Sequence, residues 1–142
     1  MLQLSRMADY AVVTLGQMAQ SPEGLHTAPA LAESTGLGTA TVSKVLKLLT
    51  RAALLTSSRG AQGGYHLALP PAQMTLAQII EAIDGPIALT RCVSVADACP
   101  LATNCALAPH WQTLSSRIRG TLAAMTLAEV IQPHAQLQEA AA

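Results

Sequence analysis

Between Pro29 and Leu69 the order of residue types leaves little freedom of architecture. Two short amphipathic runs turn about Gly36-Leu37-Gly38, and two strand-like runs then flank Arg59-Gly60-Ala61-Gln62-Gly63-Gly64. The first run, Pro29 to Thr35 with Leu31 inward, reads as a helix capped by Thr27 and ended by Gly36. In the second, Thr39 offers a cap, and Val42, Val45, Leu46, Leu48 and Leu49 form an apolar face over about three turns. Its outward face carries Thr41, Ser43, Lys44, Lys47 and Arg51. Leu54 to Ser58 and Tyr65 to Leu69 then read as two strands around a glycine-rich turn. Helix, glycine corner, helix and hairpin make a helix-turn-helix with a wing. The expected fold class is therefore mainly α, a winged helix-turn-helix with a small two-stranded wing.

The rest of the chain is helical by pattern. Ser5 to Gln20 reads as a first helix with Ser5 as its cap and Met7, Tyr10, Leu15 and Met18 near helical spacing, broken by Ser21-Pro22-Glu23-Gly24. Leu25-His26-Thr27 is too short for more than an edge strand. Pro70-Pro71 closes the wing, and Thr75 begins a helix with Leu76, Ile79, Ile80 and Ile83 that Asp84-Gly85-Pro86 stops. Trp111, Leu114, Ile118, Leu122 and Met125 step by helical intervals, one apolar stripe on a helix of about four turns. Thr126 to Ile131 gives a last short helix, and no internal repeat is evident. The expected organisation is a DNA-binding domain over 1–86, a cysteine-rich loop over 87–108, a dimerisation helix with a short terminal helix over 109–131, and a flexible tail over 132–142.

Composition supports a partner for that stripe. Of 142 residues 27 are alanine and none is phenylalanine. Alanine buries little area, so a core built on it is thin, and a homodimer sharing the striped face adds to it. No run approaches the roughly 18 apolar residues of a membrane span, and Met1 to Asp9 lacks the apolar stretch of a signal peptide. A cytoplasmic protein with no membrane partner is expected.

Net charge is zero, but the charges are segregated. Residues 1–33 and residues 81–142 each carry a net −2, whereas the 47 residues from Ser34 to Ile80 contain no acid and carry Lys44, Lys47, Arg51 and Arg59. A central basic face between acidic flanks suits a polyanion, and double-stranded operator DNA is the expected partner. Base reading falls to Thr39, Ala40, Thr41, Ser43 and Lys44 at the start of the second helix of the pair. Arg59 and Gln62 at the wing tip suit groove insertion, and Lys47, Arg51, Ser57, Ser58 and Tyr65 suit phosphate contacts. No catalytic constellation stands out: His26, His66, His110 and His134 are scattered, and no enzyme activity is expected.

The three cysteines lie close together, Cys92-x6-Cys99-x5-Cys105, in a turn-rich loop. A disulfide would leave one over. Three thiolates in so short a span can converge on one soft metal centre, with a thiol redox switch as the alternative. The spacing is not a pair of CxxC hooks, which weakens the case for structural zinc.

Several segments together carry a resemblance to a known family: Met7-Ala8-Asp9-Tyr10-Ala11, Thr41-Val42-Ser43-Lys44, Arg59 to Tyr65, Ile83-Asp84-Gly85-Pro86-Ile87, the three cysteines, Trp111-Gln112 and Thr126-Leu127-Ala128-Glu129. Over roughly residues 1 to 131 the chain resembles the Rrf-type family of bacterial winged-helix regulators, most closely its branch controlling iron-sulphur assembly genes. The resemblance implies a homodimeric repressor whose Cys92, Cys99 and Cys105 hold an iron-sulphur cluster, 2Fe-2S or 4Fe-4S, that controls operator binding. In one branch a histidine three residues after the third cysteine completes the site; here that position is Ala108, and the nearest histidine is His110. In another branch an aspartate of the partner subunit's first helix does so, and Asp9 matches it, so the resemblance favours Asp9 over His110. A nitric-oxide or thiol-oxidation sensor using the same cysteines is the alternative, followed by an iron-sulphur carrier or redox protein.

Overall fold

The computed structural model describes residues 3–90, 93, 99–101 and 104–132. Helix α1 (Arg6–Met18) is followed by α2 (Ala28–Thr35) and α3 (Thr39–Arg51), then by strands β1 (Leu55–Ser58) and β2 (Gly64–Leu67). After a 3-10 turn at Pro71–Gln73 come α4 (Leu76–Asp84), the long α5 (Ala108–Ala124) and a single-turn α6 (Leu127–Val130). Cys92 and the tail beyond Gln132, for which ligation and flexibility were expected, lie outside the described residues.

Capping residues set most boundaries. Ser5 accepts from the Ala8 amide, Thr27 from Ala30 and Thr75 from Gln78, each satisfying an otherwise orphan donor at a helix start. Ser5 also donates to Asp84 Oδ1 at 2.7 Å, tying the start of α1 to the end of α4. Gly36 ends α2 in the left-handed region at φ 72, which a Cβ would disfavour. One expectation is corrected here. Thr39 does not cap α3; Gly38 is the N-cap and its carbonyl already accepts from Val42 at 3.0 Å, so the helix starts one residue early and Thr39 stands exposed on its first turn.

The core fills the space between α1, α3 and α4. Leu15 and Met18 of α1, Val42, Val45, Leu46 and Leu49 of α3, and Met74, Ile79 and Leu127 are fully buried, and no aromatic residue is. Tyr65 and Leu67 of β2 pack against its edge. The strands pair antiparallel with Leu55 opposite Leu67, Thr56 opposite His66, Ser57 opposite Tyr65 and Ser58 opposite Gly64. The short run around His26 does form an edge, bridging to Tyr65.

A small repeat does exist, contrary to the sequence reading. Met74-Thr75-Leu76-Ala77-Gln78-Ile79-Ile80 recurs as Met125-Thr126-Leu127-Ala128-Glu129-Val130-Ile131. The two copies face each other: Leu76 N–H donates to Met125 O at 2.9 Å and Leu127 N–H to Met74 O at 2.7 Å, with Thr75 opposite Thr126. Each threonine then starts a helix with a complete capping box, closed by Gln78 in α4 and Glu129 in α6. This pairing also corrects the length of the apolar stripe. Met125 is the extended C-cap of α5, at φ −95 and ψ 127, drawn out of the helix by its bond to Leu76.

Along α5 only Ser115 is buried. Its hydroxyl oxygen accepts from the Leu89 N–H at 3.2 Å, and one turn on Arg119 clasps Glu81 of α4 through two hydrogen bonds of 2.7 and 3.1 Å. Of the stripe, Trp111 is 38% and Leu114 43% exposed, whereas Ile118 and Leu122 are half-buried beside Leu4 and Ile80. No described helix is long and apolar enough to cross a membrane.

Candidate nucleic-acid interface and cysteine segment

α3 separates its residue types cleanly. Val42, Val45, Leu46 and Leu49 face the core, while Ala40, Lys44, Lys47 and Arg51 stand exposed on one opposite face. Thr41 and Ser43 flank that face half-buried. Among the described residues no ion pair engages Lys44, Lys47, Arg51 or Arg59; the one pair there is Arg119 with Glu81. With no acid between Ser34 and Ile80 to neutralise it, this face presents a positive field to solvent.

The wing turns the face into a concave surface. A hollow of about 560 Å³ is walled by Lys47 of α3, by Ser57, Ser58 and Arg59 at the end of β1, by Gly60, Gly63, Gly64 and Tyr65, and by Thr27 and Ala28 at the start of α2. A second hollow beside it, about 360 Å³, is walled by Lys47, Thr50, Arg51, Ser57 and Tyr65. The structure brings Lys47, Ser57, Ser58, Arg59 and Tyr65 together in the first hollow and sets Arg51 beside Lys47, Ser57 and Tyr65 in the second. Thr39, Ala40, Thr41, Ser43 and Lys44 line neither hollow; they lie on the N-terminal half of α3, and Gln62 is exposed at the turn. The sequence reading took Thr27 as a helix cap alone and did not place it or Ala28 at this surface. Their signal was present, since a threonine cap before Ala-Pro marks a helix start, and the backbone donors of such a start favour anions.

Two glycines fix the turn. Gly60 takes φ 116, and a Cβ on Gly63 would collide with the Ser58 carbonyl oxygen. A side chain at either position would strain the turn, through the backbone at Gly60 and by collision at Gly63.

The cysteine segment leaves α4 through Gly85, whose φ of 82 and ψ of −172 suit glycine alone, and re-enters helix at Ala108. Cys99 and Cys105 are free thiols, half-buried, and the Cys105 carbonyl accepts from Ala108 at the root of α5. Exposed Leu101 and Leu107 lie between and beside them. Their soft, unpaired donors fit a cluster in chemistry. Asp9 is exposed on the first turn of α1 and His110 on the first turn of α5. Among the described residues no three His, Cys, Asp or Glu side chains converge, so within one chain neither Asp9 nor His110 completes a three-donor set with these thiols.

Comparison with known proteins agrees with the geometry. Residues 4–133 match the Rrf2 family, described as an iron-dependent transcriptional regulator. A Mycobacterium tuberculosis protein named as an HTH-type transcriptional regulator is 32% identical over 91% of this chain and 81% of its own. The HTH-type transcriptional regulator IscR of Aliivibrio salmonicida is 29% identical over 92% and 77%. Among solved structures, T. potens IscR superposes with a TM-score of 0.65 at 28% identity, covering 92% of this chain and 86% of that one. CymR, the global cysteine regulator of B. subtilis, shares the fold with a TM-score of 0.69 at 24% identity, covering 92% and 97%. These relatives are regulators rather than enzymes. The family match runs from before α1 to beyond α6 and takes in every described element, and the chain belongs to the Rrf2 family of DNA-binding transcriptional regulators.

Proposed function

We propose that the chain is a homodimeric, cytoplasmic repressor of iron-sulphur assembly genes, reading operator DNA with α3 and the wing and sensing cluster supply through Cys92, Cys99 and Cys105. The observation that carries it is the joint presence of an unneutralised basic hollow and, before the partly exposed α5 stripe, two free half-buried thiols. Thr39, Ala40, Thr41, Ser43 and Lys44 enter the major groove; Lys47, Arg51, Ser57, Ser58 and Tyr65 hold phosphates; Arg59 and Gln62 follow the adjoining groove. The exposed α5 stripe is the dimer seam. An iron-sulphur cluster supplies a redox-active, oxidant-labile centre when bound. Asp9 of the opposite protomer is the favoured oxygen donor, His110 the alternative. Because Leu89 is pinned to Ser115 and Asp84 to Ser5, strain in the cysteine segment passes directly to α5 and α1. A coupling of about 1 to 3 kcal/mol would change operator affinity roughly 5- to 150-fold.

The test is an anaerobic visible spectrum with iron and sulphide analysis of the wild type and Cys99→Ala, followed by titration of both with promoter DNA. The expected result is broad visible absorption with iron and sulphide, lost in Cys99→Ala together with a change in DNA affinity. A colourless protein that binds DNA identically with or without Cys99 would overturn cluster sensing. The free state of Cys99 and Cys105 also favours a second reading, a nitric-oxide or thiol-oxidation sensor. In that case DNA affinity responds to oxidant in protein that contains no iron.

A further inference from the structure

The wing is held by more than its own two strands. On its outer edge β2 has another neighbour: His26, in the connection from α1 to α2, donates to Tyr65 O at 2.9 Å and accepts from Tyr65 N–H at 2.8 Å. The following residue, His66, turns its ring back over the same junction and places Nδ1 3.0 Å from the carbonyl oxygen of Gly24. A carbonyl only accepts, so the Nδ1 proton belongs to His66. The connection is tightened in turn, because both His26 Nε2 and the Gly24 N–H lie within hydrogen-bond distance of Ser21 O, at 3.0 and 2.9 Å. Gly64 makes the approach possible: a Cβ there would stand 2.6 Å from His26 O and 2.9 Å from Leu25 Cδ1.

The consequence is geometric. β2 ends the wing turn, and the strapped connection leads straight into Thr27 and Ala28 at the start of α2. Both elements line the hollow that Lys47 completes. Strands of four residues joined by a glycine-rich turn are marginal as an isolated hairpin. We infer that His66 is a positioning residue for DNA binding: its hydrogen bond to Gly24 sets the wing, and with it Arg59, against the first turn of α2, so that the hollow is formed before DNA arrives. This rests on the reading that Arg59 contacts DNA. His66 itself touches no nucleic acid; it acts through the position of Arg59.

A double-mutant cycle on the full chain tests it, with a mixed-sequence duplex of about three helical turns as the probe and affinity measured over a salt series. Arg59→Ala removes one cationic contact and lowers the log-log salt slope by about 0.9. His66→Ala is expected to give the same loss, and to give no further loss on top of Arg59→Ala. His66→Asn restores the wild-type slope, because the asparagine amide nitrogen, bonded to Cγ, stands where Nδ1 stood. The inference is overturned if His66→Ala binds as wild type does, if its loss adds to that of Arg59→Ala, or if His66→Asn fails to restore binding. A variant merely short of stability would lower affinity without the loss vanishing in the Arg59→Ala background. Should Arg59→Ala leave the slope untouched, it is the wing-contact reading that fails, and the role of His66 falls with it.

Discussion

Ala53 holds a left-handed backbone, φ 60, where α3 hands over to β1. The ending is a Schellman turn in which Leu54 N–H reaches back to Leu49 O at 3.0 Å while Leu54 itself is buried. That contact holds alanine in a conformation that costs an L-residue about 1 to 2 kcal/mol, against about 0.5 to 1 kcal/mol of extra chain entropy for glycine. Ala53→Gly is therefore expected to raise stability by about 0.5 to 1 kcal/mol in urea unfolding; a loss would mean the turn is not strained. No glycine marks this helix end, which is why Arg51-Ala52-Ala53 gave no stop signal, whereas Gly36 after α2 was legible at once. Glu129 offers a pH test of the repeat. The backbone N–H of Thr126, and then its hydroxyl, donate to the Glu129 carboxylate and hold its pKa below the ordinary 4.5. As pH falls the unfolded chain takes up the proton first, so this stabilisation is complete above about pH 4.5 and drains away as pH drops through the lower folded value. The matching cap in α4 is closed by Gln78, which does not titrate there. Glu129→Gln should flatten the acid limb of thermal stability, and Gln78→Glu should steepen it. Equal limbs in all three proteins would dismiss the capping carboxylate as a source of acid lability.

Among the elements, α3 divides its labour along its length. Ser43 lies on the half that stands clear of the wing, and Lys47 opens both hollows. In the proposed reading Lys47→Ala weakens binding to all sequences alike and lowers the salt slope by about 0.9, while Ser43→Ala leaves the slope and changes which sequence is selected. Affinity and selection experiments over a salt series separate the two; if both substitutions alter thermal stability alone, α3 is not the reading helix. The apolar and polar faces of α3 were readable from spacing because thirteen residues span several periods. The repeated heptapeptide is visible in the sequence, but its pairing is not, since the contact is a single bridge between Thr75 and Thr126 and a bridge that short has no periodicity. Nor was the strap at His26 and Tyr65, whose pairing joins residues 39 positions apart. The sequence reading named Lys47 and Arg59, which line the hollow, and did not name Thr27 and Ala28 beside them, because only the fold turns α2 toward the wing. For the cysteine segment, spacing shows three thiols near one another, and the described residues show two of them free.

At the scale of the whole molecule the question is what the exposed part of the α5 stripe does for DNA binding. Arg119 and Ser115 bind the helix to its own domain, through Glu81 and Leu89, while Trp111 and Leu114 stay 38% and 43% exposed. Burying such a stripe against a second copy fixes two winged domains to one rigid seam, so the distance between their α3 helices becomes a property of the dimer. DNA repeats its major groove about every 10.5 base pairs, and half-sites for such a dimer must keep that phase. Once selection has yielded an operator, inserting about five base pairs between its halves rotates one half to the far side of the duplex, and binding should fall to that of a single half-site; inserting about ten should recover part of it. In the proposed dimer Leu114→Glu places a charge in the seam, which is expected to yield monomers by sedimentation and to abolish the dependence on spacing while leaving half-site affinity in place. A dimer in Leu114→Glu, or an operator indifferent to the five-base-pair insertion, would move the seam away from α5 and uncouple the cysteine segment at its root from the spacing of the reading helices.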